Sequence, residues 1–180
     1  MTKPRNAMKI AVLATDGVEQ VELTQPWQEL EKAGTEVDLI SLQGTQITGY
    51  HHLEKGDSFT VDHAVDDVSA DDYDLLVLPG GVANPDALRM DEDAVALVRG
   101  FVQQDKPVAA ICHAAWLLIE ADVVKGKTMT SFPSVRTDVT NAGGHWVDEK
   151  VCRDGGLVTS RKPADLNSFC NKILEVLDEG

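Results

Sequence analysis

The chain is short of positive charge, short of cysteine and without a long apolar run, and each shortage closes off a class of function. Sixteen basic residues stand against 30 acidic ones, a net charge of −14 over 180 residues. A surface of that sign repels phosphate backbones and anionic lipid headgroups, which argues against strong nucleic-acid binding and electrostatic membrane attachment. The acidic residues are scattered (Asp66-Asp67, Asp71-Asp72, Asp91-Glu92-Asp93) and read as a solvated surface rather than a tail. Three cysteines without a Cys-x-x-Cys pair support neither a disulfide framework nor a zinc site. The five histidines form no HxxH or HExxH pattern, so His51, His52 and His63 read as surface or loop residues and no metal is expected. No stretch approaches the ~18 apolar residues that span a bilayer. The basic start, residues 1–7, is followed by too few apolar residues for the core of a signal peptide. A cytoplasmic protein with no membrane partner is the expectation. No repeat, linker or low-complexity segment is visible, and the length suits one domain over residues 1–180.

What is present alternates between strand and helix signals. Residues 8–14 are a near-continuous apolar run, as in a parallel strand covered on both faces. Thr15-Asp16-Gly17 breaks it. A helix follows, expected in two pieces because of Pro26, with Gly34 as its stop. Residues 36–41 read as a second strand. Residues 44–62 read as a small hairpin at the sheet edge, turning around Lys55-Gly56-Asp57. Residues 73–78 read as a central strand ending at Pro79-Gly80-Gly81, followed by a helix over 91–104 capped by Asp91. Beyond residue 126 come a short strand, a short helix over 134–141, and a hairpin turning through Arg153-Asp154-Gly155-Gly156. A last helix from Pro163 carries Leu166, Phe169, Cys170, Ile173, Leu174 and Leu177 on one face, which makes Cys170 structural. The pattern predicts an α/β fold with a doubly wound, mostly parallel sheet.

The most informative segment is Ala110-Ile111-Cys112-His113-Ala114. The apolar run before it reads as a buried strand and residues 113–120 as a buried helix, so Cys112 falls at the junction. A thiol there lies at the strand's carboxyl end, where α/β sheets place ligands, and faces the free N–H groups of the next helix. Both favour the reactive thiolate. His113 is a candidate base. Side chains adjacent on a helix do not face each other, so His113 is expected to need a third group to turn it. Two loops open on the same edge, 16–19 and 79–86. The paired glycines either form a plain turn or offer N–H groups that join His113 in an oxyanion hole.

Taken together, Ala14-Thr15-Asp16-Gly17-Val18-Glu19-Gln20-Val21-Glu22-Leu23, Leu78-Pro79-Gly80-Gly81, Asn84-Pro85-Asp86, the Cys112 segment and Ser160-Arg161-Lys162-Pro163-Ala164-Asp165-Leu166 resemble the DJ-1/PfpI superfamily, its PfpI-like branch in particular. The resemblance implies a flavodoxin-like sandwich, akin to class I glutamine amidotransferases, with Cys112 at a nucleophile elbow. It implies Glu19 beside the thiol, protonated and donating to sulfur, and Gly80, Gly81 and His113 as backbone oxyanion donors. It implies that Asp86 reaches His113 of a neighbouring subunit, in a homodimer or larger ring. One departure is Ala114-Ala115, where many relatives have Gly-Pro or Ala-Pro. The resemblance brings no cofactor.

The activity it implies is that of a cysteine-dependent stress-response enzyme, a deglycase or glyoxalase acting on methylglyoxal or early glycated-protein adducts. An intracellular cysteine peptidase would use the same residues. A non-enzymatic redox sensor or chaperone would instead use oxidation of Cys112.

Overall fold

The computed structural model describes residues 3–42 and 44–180; Met1 and Thr2 of the basic start lie outside it. The strands are β1 (Lys9–Leu13), β2 (Val18–Glu19), β3 (Glu36–Ser41), β4 (Gln46–His51), β5 (Glu54–Thr60), β6 (His63–Ala64), β7 (Leu75–Leu78), β8 (Val108–Ile111), β9 (Thr128–Met129), β10 (His145–Trp146), β11 (Val151–Asp154) and β12 (Leu157–Ser160). The α-helices are α1 (Gln20–Lys32), α2 (Ala83–Leu88), α3 (Glu92–Gln103), α4 (Ala115–Glu120), α5 (Arg136–Asn141) and α6 (Leu166–Glu179).

Seven strands form the main sheet in the order β11-β12-β8-β7-β1-β3-β6, parallel except for the β11–β12 hairpin. The inner order β3-β1-β7-β8-β12 is that of flavodoxin-like folds, whose ligand crevice opens at the carboxyl ends of the strands. Alternation along β1 divides the core. Ile10, Val12 and Ala14 pack with Leu23 and Leu30 of α1 and with Phe169 and Ile173 of α6. Ala11 and Leu13 pack on the other face with Leu88, Val98, Phe101, Leu118 and Val139 from α2, α3, α4 and α5. The central strands β1, β7 and β8 bury both faces, which is why they read as unbroken apolar runs.

Three expectations need correction. Helix α1 is continuous through Pro26. Proline removes a single N–H bond, the one to the Glu22 carbonyl, and Pro26 itself is buried beside Leu23 and Leu30, so packing holds the helix together. The hairpin is not at the main sheet's edge. Strands β4 and β5 pair with β2 in a separate three-stranded sheet, and the turn falls at His52-Leu53. Lys55-Gly56-Asp57 lie within β5 because Gly56 makes room for Gln20: a Cβ there would meet Gln20 Oε1 at 2.1 Å. Gln20 also exchanges two hydrogen bonds with Asp57, at 2.7 and 2.8 Å. Finally, Asn84-Pro85-Asp86, read as loop, is helix α2.

Candidate active site

Cys112 follows β8 with φ +64°, a left-handed backbone that is unusual for a non-glycine residue. The chain then enters a 3-10 turn, Cys112–Ala114, and α4. This geometry removes the objection that adjacent helical side chains cannot meet. Because the Cys112 backbone is left-handed rather than α-helical, its Sγ lies 3.2 Å from His113 Nδ1. The ring is stacked on Phe132 at 4.7 Å and meets Trp116 edge-on at 5.0 Å. Its Nε2 lies 3.1 Å from Ser134 Oγ.

The carboxylate at the sulfur is Glu22, not Glu19. Glu19 ends β2 at the residue before α1, where its side chain makes no cap bond to the helix; instead its Oε2 accepts the His52 N–H of the hairpin turn at 3.1 Å. One turn further on, Glu22 lies inside the fold with no exposed surface, and its Oε1 accepts the Gly80 N–H at 3.1 Å. Its Oε2 is buried with no hydrogen-bond partner, and the Cys112 thiol lies beside the carboxyl group. Burial, with the charge of Glu19 adding, pushes the Glu22 pKa up to about 8, so Glu22 keeps its proton at neutral pH. The trade of roles follows from helical spacing: positions three apart share a face, and the later one sits deeper behind the helix start.

Burial also pushes the Cys112 thiol upward, and an ionised Glu22 would push it further. The N–H groups of His113 and Gly81 pull it back. With Glu22 protonated its repulsion is absent, and an O–H directed at sulfur favours the thiolate. Burial lowers the His113 pKa, so its resting ring is neutral.

Gly80 needs the second correction. Its N–H is already given to Glu22, so it is no free oxyanion donor. Gly80 acts as a spacer instead: a Cβ there would come within 2.6 Å of Glu22 Oε1 and 2.7 Å of Cys112 Cβ. Gly81, with φ +82°, directs its N–H between the Cys112 sulfur and the Glu22 carboxyl, and the His113 N–H faces the sulfur beside it. Asn84 fixes this loop: its side chain donates to the carbonyls of Pro79 and Gly80 at 3.0 Å and accepts the Thr15 N–H at 2.8 Å.

These groups open into a cavity of about 790 Å³ lined by Glu19, Glu22, His52, Asp86, Cys112 and His113, among others. Asp86 sits on its exposed side, and within one chain the group at His113 Nε2 is Ser134. Glu22 and Ser134 are the site residues that the sequence reading missed. For Glu22 a signal existed, an acid set between apolar Val21 and Leu23. Ser134 follows a proline and looks like any turn serine. Cys170 is buried on the inner face of α6, and Cys152 on β11 bonds the Thr128 carbonyl. Among the described residues no histidine, cysteine and carboxylate cluster forms a metal site, and no helix is long and apolar enough to cross a membrane.

A flavodoxin-like sheet with a left-handed cysteine at a strand–helix elbow, paired to histidine and a buried acid, defines a class of cysteine-nucleophile α/β proteins. Within that class the DJ-1/PfpI family profile matches residues 8–176, and the chain belongs to the DJ-1/PfpI family. It is 42% identical to deglycase TK1284 of Thermococcus kodakarensis over 94% of this chain and 99% of that one. It is 42% identical to the putative cysteine protease YraA of Bacillus subtilis over 94% of this chain and 98% of that one. It is 45% identical to protein/nucleic acid deglycase 2 of Escherichia coli over 94% and 97%. Among solved structures, a two-domain protein from Anabaena variabilis with DJ-1/ThiJ/PfpI-like and ferritin-like domains superposes with TM-score 0.90 at 35% identity. That match covers 95% of this chain and 48% of the other. DJ-1beta of Drosophila melanogaster superposes with TM-score 0.84 at 28% identity, covering 99% and 95%.

Proposed function

We propose that this protein is a cysteine-dependent hydrolase of the deglycase or glyoxalase type, acting on methylglyoxal and its early adducts with protein side chains. The observation that carries the reading is the Cys112 elbow: a sulfur 3.2 Å from His113 Nδ1, facing the N–H groups of Gly81 and His113 at the floor of an open cavity. Relatives named deglycases, matched along nearly their whole length, support the substrate class.

The chemistry follows from those atoms. The Cys112 proton passes to His113 Nδ1 as sulfur bonds to the aldehyde carbon. The carbonyl oxygen becomes an alkoxide against the N–H groups of Gly81 and His113, and His113 returns the proton to it. In the hemithioacetal, His113 moves a proton from the former aldehyde carbon to its neighbour through an enediol, giving a thioester. Water cleaves the C–S bond, restoring the thiol and releasing lactic acid. From a glycated amine, sulfur displaces nitrogen at the carbinol carbon and the amine leaves with the His113 proton.

A second copy of the chain is part of the proposal: Asp86 of the partner subunit supplies negative charge near His113 when the ring is protonated. The net charge fits a cytoplasmic enzyme without nucleic-acid or membrane partners.

The test uses a methylglyoxal–N-acetylarginine adduct freed of methylglyoxal, and methylglyoxal itself. Lactate should form catalytically from both, and Cys112→Ser should abolish it. Cleavage of unmodified peptides without lactate would favour the peptidase reading, which the YraA likeness supports. One-time oxidation of Cys112 by peroxide, with no turnover, would favour the sensor.

A further inference from the structure

The Phe132–Ser134 turn does two things to one ring. Phe132 stacks on His113 at 4.7 Å, and Ser134 Oγ lies 3.1 Å from its Nε2. The turn is anchored to the elbow itself, because the Phe132 N–H donates to the Cys112 carbonyl at 3.1 Å. The fully buried Val135 pins its far end, with its N–H on the Phe132 carbonyl at 2.9 Å. Ring, hydroxyl and sulfur therefore share one rigid frame.

A neutral imidazole carries one proton. If that proton were on Nδ1, the ring would point an N–H at a thiol and could not take its proton. If it is on Nε2, Nδ1 presents a lone pair to the Cys112 S–H. Ser134 Oγ can accept from or donate to Nε2, so it holds the ring in place in either arrangement; in the second it accepts, and it stays hydrogen-bonded when Nδ1 gains the thiol proton. A neutral hydroxyl thus fills the place of the third group in nucleophile–base–orienter sets. We propose that Ser134 is the positioning residue of this site: its hydrogen bond to Nε2 holds the His113 ring with Nδ1 on Cys112, so that Nδ1 serves as base to the thiol within a single chain.

The proposal rests on Cys112 and His113 being the reacting pair, not on the identity of the substrate. Its test therefore avoids turnover. Alkylation of Cys112 by iodoacetamide is followed against pH in the parent, Ser134→Ala and Ser134→Thr, and ¹⁵N-histidine NMR reports the His113 Nε2 resonance. Loss of one hydrogen bond should slow alkylation about three- to tenfold near neutral pH. It should also shift the His113 Nε2 resonance, whose hydrogen bond is lost. Ser134→Thr, which keeps the hydroxyl, should restore both. Position 134 is exposed, so the fold should survive either change. Parent-like alkylation and an unmoved Nε2 resonance in Ser134→Ala would overturn the proposal. So would an Nε2 resonance that shifts in Asp86→Ala but not in Ser134→Ala. Ser134-dependent alkylation without lactate formation would instead leave this assignment standing and remove the deglycase reading.

Discussion

A single carboxyl, that of Glu22, sets the electrostatics of the site and gives the folded protein a pH signature. An acid whose pKa is raised on folding, here from near 4.5 to about 8, binds its proton more tightly in the folded state. The stability this contributes is fully present below the unfolded value and is lost as pH rises through the folded one. The Glu22 contribution should therefore fall between pH 4.5 and 8, by at most about 5 kcal/mol at ~1.4 kcal/mol per unit. Glu22→Gln has no proton to lose. Guanidinium unfolding at pH 5 and pH 8.5 should show the parent losing more stability with rising pH than the Gln variant. Parallel losses would mean that Glu22 is ionised throughout and held by its N–H donors. The reading of Glu19 as this acid fails for a geometric reason. The two glutamates are three residues apart on one helical face, and only the depth of β2 and the hairpin, set by contacts distant in sequence, separates a rim residue from a buried one. Cys112 was legible because its signal is local: a β-branched strand, a thiol, then a helix. Ser134 was not, because its meaning depends on a ring 21 residues earlier.

At the scale of elements, the site is held by how closely the β7 loop, α1 and the β8 elbow approach each other. Gly80 is where they meet. A Cβ at that position would lie 2.6 Å from Glu22 Oε1 and 2.7 Å from both the Ile111 carbonyl and Cys112 Cβ. Two of those neighbours belong to the elbow, whose backbone has no freedom to retreat. Gly80→Ala should cost about 1–3 kcal/mol, the usual penalty of overpacking. It should also slow Cys112 alkylation by displacing the sulfur from its N–H donors. Gly156→Ala is the control: its Cβ would meet nothing closer than 3.5 Å, ordinary contact, and its φ is not left-handed. Thermal unfolding of both variants decides the matter, and equal shifts would show that the approach at Gly80 has slack. The strand runs and the α3 cap at Asp91 were readable because each follows from a repeat or a local hydrogen bond, such as Asp91 Oδ1 accepting the Ala94 N–H at 2.9 Å. The separate β2-β4-β5 sheet was not, because Gln20 fixes it through Asp57 across 37 residues.

At the scale of the whole molecule, the cavity mouth bears on whether one chain holds a complete site. It carries Leu53 and Val82, 96% and 55% exposed. Asp86 stands on the same side, in the first turn of α2. Two accounts of it compete. As a helix-start acid it would only complement the dipole of a short helix, worth less than about 1 kcal/mol. As a group acting on a neighbour's His113 it would matter to catalysis and could be supplied by another chain. Subunit mixing separates them. Cys112→Ala and Asp86→Ala proteins are each expected to be nearly inactive in lactate formation. In a twofold dimer with random pairing, half the dimers are mixed and each mixed dimer regains one complete site. Activity should then recover to about a quarter of the parent's. Recovery should follow the rate of subunit exchange, monitored by native mass spectrometry. If mixed dimers form and activity stays at the average of the two inactive proteins, Asp86 acts on its own chain or only on its own helix. The site would then be complete in one subunit, with Ser134 as the sole partner of His113 Nε2.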